Sequence, residues 1–343
     1  MKLLVTGVEG YIGALLAPIL VDSGHEVIGL DTGYYREGWL SSDEGAEPFP
    51  VSLRKDIRQV TESDLDGVDA VVHLAELSND PLGETKPEVT YLINHKGSVV
   101  LAEMAKAAGV QRFVYNSSCS VYGVGTGDFL DEESPTNPQT AYARCKLLVE
   151  KGVALLADSE FSPVFLRCAT AYGPSPRMRF DIVLNNLAGL AWTTKKIAMV
   201  SDGTPWRPLA HVLDICNAIR CALEAPRGVV HTEIFNVGDN RENYQVRDIA
   251  HIVAEEFPGC EVTVGPPGGD NRSYRVSFDK INAKLPGFRC ERDARIGAHQ
   301  LHELFERTQM TKELFESRAF TRLKQLQHLI RTNQIDDAFF WRR

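Results

Sequence analysis

Short apolar runs alternate with longer stretches of helical spacing through the first half of the chain. The apolar runs predict strands at 2–6, 25–31, 70–74, 112–117 and 163–168. The stretches between them predict helices at 11–23 and 87–108, and a further helix that begins at 137. Because strands that alternate with helices form βαβ units, the pattern predicts a doubly wound parallel α/β sheet.

Residue types at two helix ends support these bounds. Gly24 follows the first helical stretch, and glycine is the residue that most often ends a helix. Asn137 precedes Pro138 at the start of a later one. We therefore predict that Asn137 caps that helix and that Pro138 lies in its first turn, where the missing N–H loses no hydrogen bond.

The order of elements loosens after residue 172. Helices are predicted at 181–192, 211–225 and 246–257, with strands at 197–200 and 231–237. We interpret 1–172 as one α/β domain and 173–290 as a smaller mixed α/β lobe that binds the ligand and partly returns to the main sheet. From 291 to 343 the chain shows helical spacing and no chemical motif, which predicts a helical C-terminal extension that serves packing or oligomerisation.

Composition excludes several classes of protein. The chain has 343 residues and a formal net charge of −9, whereas a nucleic-acid-binding surface needs clustered lysine and arginine. No apolar run approaches the ~20 residues that a membrane span requires, and the N-terminus lacks a signal-peptide pattern. The 7 cysteines form no Cys-x-x-Cys pair and the 9 histidines are scattered, which indicates no metal site and no disulfide framework. We expect a cytoplasmic protein that binds neither nucleic acid, membrane nor metal.

A glycine-rich loop follows the first predicted strand and directly precedes a helix. Gly7, Gly10 and Gly13 stand in the segment TGVEGYIG. A tight turn favours residues without a Cβ atom, and the N–H groups and positive dipole end of the following helix attract an anion. The loop therefore predicts a dinucleotide site that holds a diphosphate on bare backbone.

Asp31 ends the second predicted strand, about twenty residues after the glycines. A carboxylate there accepts hydrogen bonds from the adenosine ribose and repels a 2′-phosphate, which favours NAD over NADP. Arg36 lies five residues further on and offers a cation for such a phosphate, so the residues leave the cofactor preference open at this point.

Five motifs in a fixed order, TGVEGYIG, HLAE, NSSCSVYG, YARCK and AYGP, resemble those of the extended short-chain dehydrogenases, the NAD-dependent epimerase/dehydratase family. The resemblance extends over about residues 1–290 and implies a Rossmann-type fold with NAD as cofactor. The cofactor contacts that it implies are Gly7, Gly10, Tyr11, Ile12, Gly13, Asp31, Asp56, Ile57, Leu74, Ala75, Asn94, Ser117, Tyr142, Lys146 and Tyr172.

Tyr142 and Lys146 are four residues apart on a predicted helix, so their side chains share one face. An ammonium close to a phenol favours the phenolate and brings the phenol's pKa nearer to the operating pH. The resemblance implies that Tyr142 is the acid and base at a sugar hydroxyl and that Lys146 also holds the nicotinamide ribose. It further implies that Ser118, four residues before Tyr122, is the third catalytic residue.

The two positions after Ser118 narrow the reaction that the resemblance implies. Related dehydratases carry Asp-Glu there, whereas this chain has Cys119 and Ser120. Related decarboxylases and double epimerases need a Glu or a Cys at the position of Ser120. The interpretation is therefore a nucleotide-sugar epimerase that inverts a hydroxyl at C4 through a keto intermediate. One alternative is a 4-ketoreductase. The other is a non-catalytic NAD(H)-sensing regulator, which the presence of Ser118, Tyr142 and Lys146 disfavours.

The substrate side is predicted by the same resemblance. Arg207, in DGTPWRPLAHV, matches the arginine that holds the diphosphate of a nucleotide-sugar, a task that suits a guanidinium because of its two-pronged donor geometry. The partner is thus expected to be a nucleotide-diphosphate sugar, and we expect the protein to form a homodimer. The predicted substrate contacts are Glu76, Ser78, Asn79, Ser118, Asn185, Asn186, Arg207 and Arg272.

Overall fold

The computed structural model describes residues 1–41, 48–78, 80–266 and 272–342, without the side chain of Thr126. Its main sheet has six parallel strands in the order β10-β6-β4-β3-β1-β2. The strands of the chain are β1 (Lys2–Thr6), β2 (Glu26–Leu30), β3 (Ala70–His73), β4 (Arg112–Ser118), β5 (Val124–Leu130), β6 (Ser162–Cys168), β7 (Thr170–Tyr172), β8 (Lys196–Ala198), β9 (Trp206–His211), β10 (Ile234–Val237), β11 (Asn243–Gln245), β12 (Glu261–Thr263) and β13 (Ser273–Val276).

The helices lie on both faces of the main sheet, in the second lobe and in the C-terminal region. They are α1 (Gly13–Asp22), α2 (Asp80–Gly83), α3 (Pro87–Thr90), α4 (Ser98–Ala107), α5 (Ala141–Ala154), α6 (Val183–Thr194), α7 (Val212–Glu224), α8 (Arg227–Val230), α9 (Val246–Glu256), α10 (Asp279–Lys284), α11 (Ala294–Arg307), α12 (Lys312–Glu316) and α13 (Arg322–Arg331). A π-helical stretch, Tyr91–Gly97, joins α3 to α4.

Successive residues of the central strands point to opposite faces of the sheet, and both faces are buried. Leu3 and Val5 of β1 belong to the hydrophobic cluster that also contains Ile215 of α7. Leu4, between them, belongs to the cluster on the other face, together with Val149 of α5. This two-sided burial explains the nearly continuous apolar runs in the sequence, and the predicted doubly wound parallel sheet is confirmed.

The predicted start of helix α5 is wrong. The helix begins at Ala141, and its cap is Thr140, whose hydroxyl accepts a hydrogen bond from the Ala143 N–H at 3.2 Å. The Asn137 N–H instead donates to the Val121 carbonyl at 2.9 Å. That contact keeps the chain around Asn137 outside the helix, so its cap chemistry is not used.

Outside the main sheet, strands β7, β9 and β11 form a three-stranded sheet, and β8–β12 and β5–β13 form two-stranded ones. Of these strands the sequence pattern predicted only β8, as a strand at 197–200. Strand β10 returns to the main sheet beside β6, as expected for part of 173–290. It begins at Ile234 and not at the predicted position 231, and a short helix, residues 227–230, precedes it. The boundaries placed at 172 and 290 stay predictions.

The C-terminal region is helical, as predicted, and packs on the chain itself. Leu301 of α11 joins the hydrophobic cluster of the second lobe, whereas Leu326 of α13 joins the cluster of the main sheet. The segment formed by residues 335–341 is named the C-terminal strap. Its Trp341 indole donates to the Thr32 carbonyl at 2.7 Å, and the Phe339 carbonyl accepts from the Tyr34 hydroxyl. The strap therefore holds the loop that follows β2. In the described part of the chain, no helix has the length and apolar character to cross a membrane.

Candidate active site

A cavity of about 550 Å³ opens at the carboxyl ends of the main-sheet strands. Parallel α/β sheets bind ligands at this edge, where the chain turns from one direction of winding to the other. The predicted site residues that line the cavity are Gly7, Gly10, Tyr11, Ile12, Gly13, Asp31, Asp56, Ile57, Leu74, Ala75, Glu76, Ser78, Ser117, Ser118, Tyr142, Lys146, Arg207 and Arg272. Residues from distant parts of the sequence thus meet around one space.

The glycine loop is packed so closely against neighbouring backbone that two of its glycines leave no room for a side chain. Gly7 has φ +74°, and a Cβ atom there would lie 2.9 Å from the Ala75 nitrogen. A Cβ atom at Gly13 would lie 2.2 Å from the Gly7 carbonyl oxygen. The loop thereby brings bare backbone and the start of α1 to the cavity wall, the arrangement that binds a diphosphate.

Asp31 lies at the end of β2 with its carboxylate fixed by backbone. It accepts hydrogen bonds from the N–H groups of Glu9, at 3.0 Å, and Gly33, at 2.8 Å. Burial raises the pKa of Asp31 above its ordinary value, against these hydrogen bonds. Arg36 is exposed, lies against the Trp341 ring at 6.0 Å and is not among the residues that line the cavity. The arrangement therefore leaves Asp31, and not Arg36, facing the cavity.

Ser118, Tyr142 and Lys146 converge on the cavity from two elements. Ser118 ends β4, while Tyr142 and Lys146 are one turn apart on α5. The Lys146 ammonium lies 5.5 Å from the centre of the Tyr142 ring. Burial raises the pKa of Tyr142, the ammonium of Lys146 and a hydrogen bond with Ser118 lower it, and burial prevails. The predicted cation beside the phenol is thus present, but burial outweighs its effect, so the pKa of Tyr142 is not brought nearer to the operating pH as expected.

Glu76 contacts the lysine. Its carboxylate lies 2.8 Å from the Lys146 ammonium, and the two side chains are only 2% and 5% exposed. The Tyr115 hydroxyl donates to the other Glu76 oxygen at 2.6 Å, and the Lys146 ammonium also donates to the Asn116 carbonyl. Burial lowers the pKa of Lys146, but the facing carboxylate outweighs it, so the pKa is raised. Glu76 therefore holds Lys146 charged and in place.

Two arginines line the substrate side of the cavity. Arg272 forms an ion pair with Asp80, and Arg207 donates to the carbonyls of Trp206, at 2.8 Å, and Arg272. Ser78 accepts a hydrogen bond from the Arg179 guanidinium at 3.3 Å. The predicted contact Asn79 lies outside the described residues.

Four predicted site residues are not brought to the cavity, because their polar atoms bond within the protein. The Asn94 side chain bonds both the N–H and the carbonyl of Leu77, at 2.9 and 3.0 Å. Asn185 accepts from the Gly173 N–H at 3.0 Å and Asn186 donates to the Phe180 carbonyl at 2.8 Å. The Tyr172 hydroxyl donates to the Arg292 carbonyl at 3.1 Å. These side chains fix loops around the cavity, and none of the four is among its lining residues.

The sequence matches the model of the NAD dependent epimerase/dehydratase family over residues 3–238. The chain belongs to this family. The resemblance drawn from the five motifs is thereby confirmed, as is the prediction of an enzyme class built on an NAD-binding fold.

Relatives of this family member include two named enzymes. UDP-glucose 4-epimerase of Corynebacterium glutamicum is 29% identical over 304 residues, which are 83% of this chain and 90% of the relative. UDP-glucose 4-epimerase of Mycolicibacterium smegmatis is 33% identical over 257 residues, 71% of this chain and 78% of the relative. Among solved structures, MoeE5 in complex with UDP-glucuronic acid and NAD is 27% identical, has a TM-score of 0.75 and matches 90% of this chain and 100% of that one. This likeness confirms the predicted Rossmann-type fold.

Cys119 points away from the cavity of this epimerase/dehydratase family member. Its thiol is buried, donates to the Arg167 carbonyl at 3.1 Å and has its pKa raised by burial. Ser120 does line the cavity. The thiol is therefore not placed to deprotonate a bound sugar. All seven cysteines are free, five of them buried.

Sequence reasoning missed several cavity residues in this member of the family. Arg179 and Asp181 form a buried ion pair at 2.8 Å, and Tyr35 and Arg322 lie on the wall beside them. Arg322 comes from α13, outside the family match, so no motif could have indicated it. Tyr35 follows Asp31 by four residues, and that proximity was the one available signal.

Proposed function

We propose that the chain is an NAD-dependent epimerase of nucleotide-sugars that inverts the hydroxyl group at C4 of the sugar. The observation that carries the proposal is that Ser118, Tyr142 and Lys146 open into the same cavity as the glycine loop. The names of the two relatives, both UDP-glucose 4-epimerases, support the choice of reaction.

The chain's own residues supply proton transfer and positioning. NAD, when bound, supplies the group that accepts a hydride from the sugar carbon and returns it. The Tyr142 phenolate takes the hydroxyl proton to become a phenol and later gives that proton back, and the Lys146 charge favours the phenolate that begins and ends the cycle. The Ser118 hydroxyl hydrogen-bonds the same sugar oxygen and holds it in position.

The charged groups around Ser118, Tyr142 and Lys146 favour hydride transfer over elimination. Glu76, Asp80 and Asp181 line the cavity, and each carboxylate is held by a cation, namely Lys146, Arg272 and Arg179 in that order. An elimination needs a carboxylic acid and a base free to exchange protons with the sugar. Carboxylates held in ion pairs are poor candidates for that role.

Substrate, location and assembly belong to the proposal as well. Arg207 and Arg272 are offered as the groups that hold the diphosphate of the nucleotide-sugar. Free, mostly buried cysteines fit a reducing compartment, which supports a cytoplasmic location. The proposed homodimer is testable by light scattering of the purified protein.

The proposed chemistry is tested with Tyr142→Phe. This change removes the proton path and little contact area, so turnover should fall by about two orders of magnitude or more, with cofactor and sugar binding nearly unchanged. Tyr91→Phe, a half-buried tyrosine that does not line the cavity, is the matched control. Full activity of Tyr142→Phe would remove the phenol from the mechanism.

A second measurement separates epimerase from reductase. Purified protein is incubated with nucleotide-sugars and with 4-keto nucleotide-sugars, inversion is read by NMR, and NADH is followed by absorbance. An epimerase inverts the hydroxyl without net NADH consumption, because the hydride returns to the sugar. Stoichiometric NADH oxidation with a keto sugar, and no inversion of any hydroxyl, would establish the reductase instead.

A further inference from the structure

Arg322 is a buried cation of the C-terminal region that faces the cofactor half of the cavity. It is the first residue of α13, is 3% exposed and lines the cavity. Three other cations of the wall, Lys146, Arg179 and Arg272, pair with carboxylates. Within the described residues Arg322 forms no ion pair, and its Nη2 atom has no hydrogen-bond partner.

An unpaired buried guanidinium is costly, since burial penalises its charge. Burial, together with the nearby charge of Arg179, lowers the pKa of Arg322 to about 10, which still leaves it charged near neutral pH. Its guanidinium lies 4.3 Å from the centre of the Tyr35 ring. The Tyr35 hydroxyl is itself buried without a hydrogen-bond partner in the described part of the chain. Two neighbouring donors therefore lack an acceptor at one place on the cavity wall.

The position of these donors indicates which ligand group they would meet. Tyr35 follows Asp31 by four residues on the loop after β2, so the pair lies on the side of the cavity built by β1 and β2. Arg207 and Arg272, proposed above to bind the nucleotide-sugar, lie elsewhere: Arg207 is in β9 and Arg272 directly precedes β13. The anion nearest to Asp31 and the glycine loop is the diphosphate of a dinucleotide.

We propose that Arg322 binds a phosphate oxygen of the dinucleotide cofactor, which makes the C-terminal region part of the cofactor site. This inference rests on the proposed function for its cofactor, and it extends that site beyond the residues matched by the family model. A guanidinium suits the role because its donors match phosphate geometry.

The region around Arg322 is anchored to the loop that carries Tyr35. Gln325 donates to the Tyr34 carbonyl at 2.9 Å, and Trp341 of the strap donates to the Thr32 carbonyl at 2.7 Å. A Cβ atom at Gly38 would lie 2.4 Å from the Ala319 carbonyl oxygen, so the two segments touch backbone to backbone. Arg322 is thus held in place before a ligand arrives, which reduces the entropy lost on binding.

The test is a binding titration with Arg322→Gln in the full-length protein. We expect the Kd for NAD to rise roughly 10- to 100-fold, because a charged donor to phosphate is lost. Binding of adenosine, which has no phosphate, should change less than about threefold. Arg331→Gln, at the exposed end of the same helix, should bind both ligands as the parent does. Circular dichroism establishes that the variants are folded.

Two outcomes would overturn the inference. A folded Arg322→Gln protein with the parent's affinity for NAD would remove the phosphate contact, and equal losses for NAD and adenosine would indicate a packing role. If Arg322→Gln does not fold, Tyr35→Phe provides the test, since it removes only the neighbouring hydroxyl and should weaken NAD but not adenosine. A parent protein that binds no dinucleotide would instead refute the proposed cofactor itself.

Discussion

Replacing Glu76 by glutamine removes the carboxylate that faces Lys146 and nearly preserves the shape of the side chain. The two charged groups are 2.8 Å apart and almost fully buried. At an effective dielectric constant of about 20, their attraction is about 6 kcal/mol. The ammonium would keep the Asn116 carbonyl as a hydrogen-bond partner but would have no counter-charge in direct contact.

The expected loss of stability follows from the stranded charge. Breaking a buried ion pair by removing one partner costs about 3–5 kcal/mol, because the remaining charge stays desolvated. We therefore expect Glu76→Gln to lower the free energy of unfolding by about that amount at pH 7. Glu88→Gln, an exposed glutamate, removes the same formal charge and should change stability by less than about 0.5 kcal/mol.

The pH dependence gives the prediction its sharpest test. In the parent, the pKa of Lys146 is raised, so the ion pair's contribution is fully present below the ordinary lysine pKa and is lost as pH rises through the folded value. In Glu76→Gln, burial without the carboxylate depresses the pKa of Lys146. The unfolded chain then binds more protons than the folded one. The free energy of unfolding of the variant therefore rises with pH, by up to about 1.4 kcal/mol per pH unit once the buried lysine is neutral.

The assay is urea unfolding of the parent, Glu76→Gln and Glu88→Gln at pH 7 and pH 10. We expect the difference in free energy of unfolding between the parent and Glu76→Gln to be clearly smaller at pH 10 than at pH 7. Glu88→Gln should have the parent's stability at both pH values. A gap of equal size at both pH values would refute the reasoning, because the loss would then come from packing and not from a stranded ammonium.

Two further predictions concern ligands. Because Asp31 faces the cavity, NAD(H) should bind far better than NADP(H), and Asp31→Ala should reduce that difference in affinity. Fluorescence titration with both nucleotides measures it, and equal affinities in the parent would refute the role given to Asp31. Arg207→Ala should weaken binding of a nucleotide-sugar by about 2–5 kcal/mol and spare NAD, as measured by calorimetry, and an unchanged Kd for the sugar nucleotide would assign its phosphates to another group.

The parts of the fold that sequence alone predicts are those whose signal is local. Strands β1, β3 and β6 are buried on both faces, and the resulting apolar runs are visible without any knowledge of their neighbours. Strands β5 and β13 were missed, because each is stabilised by a partner nearly 150 residues away and carries no apolar run of its own. The predicted cap of α5 was wrong for a related reason. The Asn137 N–H bonds to the Val121 carbonyl, a contact that the sequence does not show, and this keeps Asn137 outside the helix.

The same division holds in the site. The glycine loop and the spacing of Tyr142 and Lys146 are local, and the structure places both at the cavity. The sequence predicted the side-chain amides of Asn94 and Asn185 as ligand contacts. In the structure they hydrogen-bond the backbone of Leu77 and Gly173, which only folding brings close to them. The carboxylate that faces Lys146 comes from the loop after β3, and no spacing rule relates Glu76 to a lysine 70 positions later.

The attachment of the C-terminal strap to the loop after β2 has a consequence for how the protein is made. The hydrogen bond from Tyr34 to Phe339 joins positions 305 residues apart, and the bond from Trp341 to Thr32 joins positions 309 apart. At about 5–20 residues per second, the loop leaves the ribosome roughly 15–60 s before its partner exists. During that interval the Tyr34 ring lacks the Trp341 ring, which packs against it at a centroid distance of 5.6 Å in the folded protein. The loop after β2 therefore reaches its final packing only once residues 339–341 have been synthesised.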